Sequence, residues 1–290
     1  MSFEEVVGAT YGPFAMRISP EKVAEYVEAT GDAPDRWEEH APPSFAGALL
    51  FVVAPHFLED ARVRPFTGVL VHVDQTFAWH GPLAIGMPIT VTGRVDNVRE
   101  RGGRFFVTFS AKVDTADGER LLDAVATFLM GEASTPQSSG DGGEPAVLRR
   151  ELNDLPSLAP RPSAGEAVLP MSKSASRLDL VKYAAASGDY NPIHFDHDAA
   201  RHADLGGIVV HGLLMAAWVM QAAAALSDRP DALAHIKLRF RKPLWPGVQA
   251  VVTGEVRDVT ADGADGQLAV SVAAAEEKLV TANCLVRLGG

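Results

Sequence analysis

A 290-residue chain with one cysteine, Cys284, can form no internal disulfide, which fits a reducing compartment such as the cytoplasm. Cys284 lies in a strand-like run and reads as a small core residue. Positive charge is also short. With 26 Lys and Arg against 37 Asp and Glu, the formal net charge is -11, so the broad basic footprint of a nucleic-acid or anionic-membrane binder is missing. A small anionic ligand would still need only a local patch. No apolar run reaches the roughly 20 residues that cross a bilayer. Met1-Ser2-Phe3-Glu4-Glu5 offers neither a basic stretch nor a following apolar one, so no secretory signal is expected. What is present, 47% hydrophobic and 22% charged residues, is a soluble globular balance, long enough for one large domain or two ordinary ones.

One stretch carries chemistry: Ala186-Ser187-Gly188-Asp189-Tyr190-Asn191-Pro192-Ile193-His194. The apolar spacing of residues 178–187 predicts a helix, and Gly188 suits its left-handed end. Asn191-Pro192 favours a turn, since the residue before proline is pushed out of the helical region. That turn can bring His194 back toward Asp189, where the two can share one water. A neutral imidazole takes up protons near pH 7, a task worth roughly 10² to 10⁴ in rate. Beyond the Gly206-Gly207 break, residues 212–226 are apolar on all faces and predict a buried helix. Its first N–H groups lack intrahelical partners, so Gly212 can offer a backbone donor to a carbonyl oxygen gaining negative charge.

The chain repeats itself. The helical segment from Pro20 to Thr30 runs into Gly31-Asp32 as the later one runs into Gly188-Asp189, and Gly47 answers Gly212. Residues 71–77 answer 234–240, and Thr92-Gly93 answers Thr253-Gly254. Each half closes with alternating strand-like runs suited to antiparallel hairpins. The expected organisation is an N-terminal unit at 1–132, a linker rich in Gly, Ser and Pro at 133–165, and a C-terminal unit at 166–290.

S-G-D-Y-N-P-I-H, the downstream H-G-L-L-M and F-R-K-P-L-W-P-G resemble the hydratase motif of the MaoC-like dehydratases, the (R)-specific or type-2 enoyl-CoA hydratases. A-P-P-S-F in the first half resembles the FAS1-type dehydratase half of two-unit members. The resemblance implies an α+β double hot-dog, each half a long helix wrapped by a curved antiparallel sheet. It further implies reversible hydration of trans-2-enoyl thioesters to (R)-3-hydroxyacyl thioesters, with Asp189 and His194 as the catalytic dyad and Gly212 as the carbonyl donor. Ser187, Asn191 and His211 are expected at the substrate site. The substrate would be carried on coenzyme A or an acyl-carrier protein, with no further cofactor and no metal, and a homodimer of double hot-dogs is conceivable.

The halves differ chemically. Alignment of Asp32 with Asp189 sets Trp37 opposite His194, and an indole accepts no proton. The first half is therefore expected to be catalytically silent and to shape the acyl pocket through Trp37, Phe45 and Phe51. Only the second half carries a basic strand face, Lys237, Arg239 and Arg241, expected to bind the phosphates of the carrier; the plainer alternative is a solvated face. The run from His194 to His202 invites a metal reading, but His194 and His197 lack the spacing of a helical H-E-x-x-H site. A hot-dog thioesterase and a non-catalytic acyl-thioester-binding subunit are the rival functions.

Overall fold

The computed structural model describes residues 3–133 and 162–289. Most of the expected linker, 134–161, lies outside the described residues. The first half comprises strand β1 (Thr10–Arg17), helix α1 (Pro20–Thr30), helix α2 (Ala46–Leu58) and strands β2 (Val69–Trp79), β3 (Pro88–Arg101), β4 (Arg104–Thr115) and β5 (Arg120–Gly131). The second comprises β6 (Ala167–Lys173), α3 (Arg177–Ser187), a short α4 (His197–His202), α5 (Gly212–Ala224), β7 (Leu233–Phe240), β8 (Ala250–Val259), β9 (Asp265–Ala274) and β10 (Glu277–Arg287).

The helix ends follow local sequence. Ser19 caps α1 by accepting from the Lys22 N–H, Pro20 sits where its missing donor costs nothing, and Gly31 ends the helix at φ 62°. Ser176 and Asp179 form a reciprocal capping box on α3, and Gly188 ends it at φ 81°. Both ends therefore deliver an aspartate as the next residue.

The ten strands of the described residues form one antiparallel sheet in the order β1-β3-β4-β5-β2-β7-β10-β9-β8-β6. The order reads the same from either edge once each first-half strand is exchanged for its counterpart, so the duplication in sequence is a pseudo-twofold in space. The axis crosses the β2–β7 seam, where Gln75 faces Leu238 and Phe77 faces Ile236. Helices α2 and α5 fill the two hollows of this sheet. Residues Leu213–Ala224 of α5 are buried all round, as the all-apolar sequence requires. A Cβ on Gly93 would lie 2.6 Å from the Phe109 ring and 3.0 Å from Val53, so glycine there lets α2 approach the sheet. No helix among the described residues is long and apolar enough to cross a membrane.

Candidate active site

Asp189 follows the left-handed Gly188, and the turn after it is built by short polar side chains. The Ser187 hydroxyl donates to the Tyr183 carbonyl at 2.7 Å and accepts the Asp189 N–H at 3.2 Å. The Asp189 carboxylate accepts the Asn191 N–H at 3.3 Å, and Asn191 Oδ1 accepts the Ile193 N–H at 3.3 Å. Asn191 Nδ2 donates to the Leu70 carbonyl of β2 at 3.0 Å, tying the second-half turn to a first-half strand. Pro192 then opens a single helical turn that ends at His194.

Asp189 and His194 are 7% and 5% exposed, buried enough for desolvation to govern both. Burial raises the Asp189 carboxyl to about 7, and the Asn191 N–H only partly offsets this. Burial lowers the His194 imidazole to about 4, against an opposing effect of the Val209 carbonyl. His194 Nδ1 lies 2.8 Å from that carbonyl oxygen, which can only accept, so Nδ1 carries the hydrogen and donates it, and Nε2 keeps its lone pair. Near neutrality the pair thus holds a protonated or readily protonated acid beside a neutral base.

A second imidazole lies against the first. The His211 ring stacks on His194 with centroids 3.7 Å apart, and its Nε2 donates to the Asp189 backbone carbonyl at 3.2 Å. Burial and the neighbouring His194 push His211 well below its ordinary pKa. His211 is also the residue before α5, whose backbone bonds begin at the Leu214 N–H to the His211 carbonyl. The Gly212 N–H precedes them and is left for an external acceptor. A Cβ at Gly212 would press on the Phe240 ring at 3.3 Å, so glycine keeps the approach open. Donor atoms of Asp189, His194 and His211 lie within 4.8 Å of one another, a spacing that suits a shared water and would also suit a cation.

Asp189, Asn191, His194 and Gly212 line a cavity of about 570 Å³. Its opposite wall comes from the first half: Phe51 and Pro55 of α2, Leu70 and His72 of β2, and Phe128 of β5. The rim holds three cations, Arg64, Arg241 and Lys242, with Glu59. An open-mouthed, mostly apolar chamber with a few convergent polar groups and basic residues in its lining suits an apolar chain on an anionic carrier.

Several expected residues stand elsewhere. Ser187 and His211 do not line the cavity; one shapes the turn and the other packs behind the dyad. Trp37 and Phe45 are 4% and 3% exposed and are not cavity walls; Phe45 sits edge-on against Tyr26 in the core, with ring centroids 5.4 Å apart. Of the expected aromatic wall, only Phe51 reaches the chamber. Lys237 and Arg239 lie in a separate groove on the solvent face of the sheet, and Arg239 pairs with Asp74 at 2.8 Å. Arg241 follows the end of β7 and reaches both places. The sequence reading missed His72, held between Phe128 and Phe240 at ring-centroid distances of 4.8 and 5.0 Å and lowered to about 4 by burial. Its signal in the sequence was its place in V-H-V-D-Q-T-F, the segment that answers A-H-I-K-L-R-F at 234–240.

The first-half counterpart is plugged. Lys173 Nζ donates to the Gly31 carbonyl at 3.0 Å and to Gln221 Oε1 at 2.6 Å, and Gln221 Nε2 donates to the Thr30 carbonyl at 3.1 Å. The Arg36 guanidinium donates to the carbonyls of Ala224 and Ser227 at the end of α5, 4.8 Å from the Trp37 ring centre. Burial raises the Asp32 pKa, opposed by its own turn and by Trp37, Lys173 and Arg36.

Comparison with known proteins agrees with the two-unit geometry. Residues 161–278 match the MaoC-like domain, and residues 5–124 match the FAS1-like dehydratase domain region. The chain thus joins a FAS1-like dehydratase region to a MaoC-like dehydratase domain. By class this dehydratase is a hydro-lyase. It is 28% identical over 241 residues to the 3-hydroxyacyl-thioester dehydratase X of Mycobacterium tuberculosis, spanning 82% of this chain and 77% of that one. A solved structure described as a MaoC-like dehydratase superposes with a TM-score of 0.81 at 22% identity, covering 99% of this chain and 100% of the other. A Mycobacterium tuberculosis protein described as a double hotdog fold superposes at 0.68 with 14% identity, over 99% and 98% of the two chains. The dehydratase shares that fold.

Proposed function

We propose that this dehydratase reversibly hydrates trans-2-enoyl thioesters to (R)-3-hydroxyacyl thioesters carried on a pantetheine arm. The thioester carbonyl accepts the Gly212 N–H at the start of α5, where the helix dipole also favours the charge that builds as water adds. One water sits between Asp189 and His194. Its oxygen bonds to C3 while its proton passes to His194 Nε2, and the Asp189 carboxyl gives a proton to C2. Water has then been added across the double bond. The resulting imidazolium and carboxylate stabilise each other, and proton return from His194 to Asp189 restores the starting state. No group beyond the substrate enters these steps. The observation that carries the reading is geometric: the buried Asp189 carboxyl and the His194 imidazole, whose Nδ1 is held by the Val209 carbonyl, line one chamber with the helix-start Gly212.

The test is incubation with crotonyl-CoA, following loss of the enoyl absorbance, free thiol and product chirality together. Loss of absorbance with (R)-3-hydroxybutyryl-CoA as product and no thiol supports the reading. Thiol release would assign a thioesterase, and no turnover of short or long enoyl thioesters would remove the catalytic reading.

A further inference from the structure

The solvent face of the second-half sheet carries a groove of about 520 Å³ lined by Lys237, Arg239, Arg241, Arg257 and Lys278 against Asp74 and Glu255. Two of these cations are spent on neighbours: Arg239 pairs with Asp74 at 2.8 Å and Arg257 with Glu255 at 2.9 Å. Lys237, Arg241 and Lys278 have no carboxylate partner among the described residues, and Arg241 reaches only the Thr281 hydroxyl at 3.1 Å. The cations come from β7, β8 and β10, with Ser271 of β9 between them. They are therefore spread over four adjacent strands, about 14 Å across at the usual strand spacing.

On a chain of net charge -11, such a concentration of unpaired positive charge is a local exception. It would draw an acidic surface to this face while the rest of the molecule repels it. The spread also decides between partners. Phosphates of a free nucleotide cluster closely, whereas cations spread along a sheet suit a row of acidic side chains, and at the cavity Lys242 is already paired with Glu277. Arg241 belongs to both the groove and the rim, so a partner seated on the groove stands beside the cavity mouth.

Resting on the thioester reading above, we infer that this face is the docking surface for an acidic acyl-carrier protein, which delivers its pantetheine-bound acyl chain past Arg241 to Asp189 and His194. The test uses the full chain and a Lys237→Glu/Arg257→Glu/Lys278→Glu variant, its fold checked by circular dichroism. Each is assayed with crotonyl-CoA and with the crotonyl thioester of a bacterial acyl-carrier protein. The variant is expected to raise KM for the carrier-bound substrate at least tenfold and leave crotonyl-CoA within twofold. The wild-type KM for the carrier should rise with salt. Equal losses on both substrates, or no loss on either, overturn the inference. Should wild type turn over neither, binding of the unacylated carrier by calorimetry still decides. Binding that the variant loses supports docking, and equal or absent binding in both rejects it.

Discussion

At the scale of single residues, the site holds charge-prone groups where burial keeps them neutral. The folded pKa of Asp189, about 7, lies above the roughly 3.9 of an unfolded aspartate, so the native state binds the extra proton between those values. Its contribution to stability is whole below about pH 4 and is lost as the pH climbs toward 7. The full difference is at most about 4 kcal/mol, at 1.36 kcal/mol for each tenfold change. Asp189→Asn removes the ionisation and keeps the shape. Its melting temperature is expected to exceed that of wild type at pH 8 by several degrees and to meet it near pH 4. A variant less stable than wild type at pH 8 would mean that the carboxylate is solvated or paired in the native state. That Asp189 and His194 come together was legible because the segment is local: a left-handed glycine, an Asx turn and a proline set both side chains within six residues, while Gly212 was legible separately as the start of an apolar helix. His211 was legible as a neighbour but not in its place, because stacking on His194 is a tertiary contact that spacing does not encode.

At the scale of elements, one arrangement serves two ends. Helix α5 presents its first N–H to the cavity, and its last carbonyls accept from Arg36 of the first half. These charge-assisted bonds close the helix where the counterpart dyad would have opened a second chamber. Arg36→Ala is expected to cost about 1–3 kcal/mol, seen as a lower melting temperature, with kcat per folded molecule unchanged. A large fall in kcat at constant stability would show that the plug acts on the distant site. Strand period told which residues of β7 share a face, and Lys237 and Arg239 do share one. It did not tell which face of the sheet fronts the cavity. Trp37 likewise aligns with His194, yet it is buried beneath the Arg36 guanidinium and lines no part of the chamber.

At the scale of the whole molecule, duplication supplied two copies of one unit, and the pseudo-twofold at the β2–β7 seam makes each complete the other. The active chamber takes its acid and base from the second half and its wall from Phe51, His72 and Phe128 of the first. The repeat order of motifs announced the doubled fold. The seam itself was not legible, since it depends on which edge strands meet. On the proposed reading, chemistry occurs once per chain, at Asp189 and not at Asp32. The most direct measurement compares Asp189→Asn and Asp32→Asn in the same enoyl-thioester hydration assay, with circular dichroism as a control for folding. Asp189→Asn is expected to lose roughly 10² to 10⁴ in kcat while Asp32→Asn stays within about twofold of wild type. Loss of turnover in a folded Asp32→Asn protein, or its survival in Asp189→Asn, would contradict it.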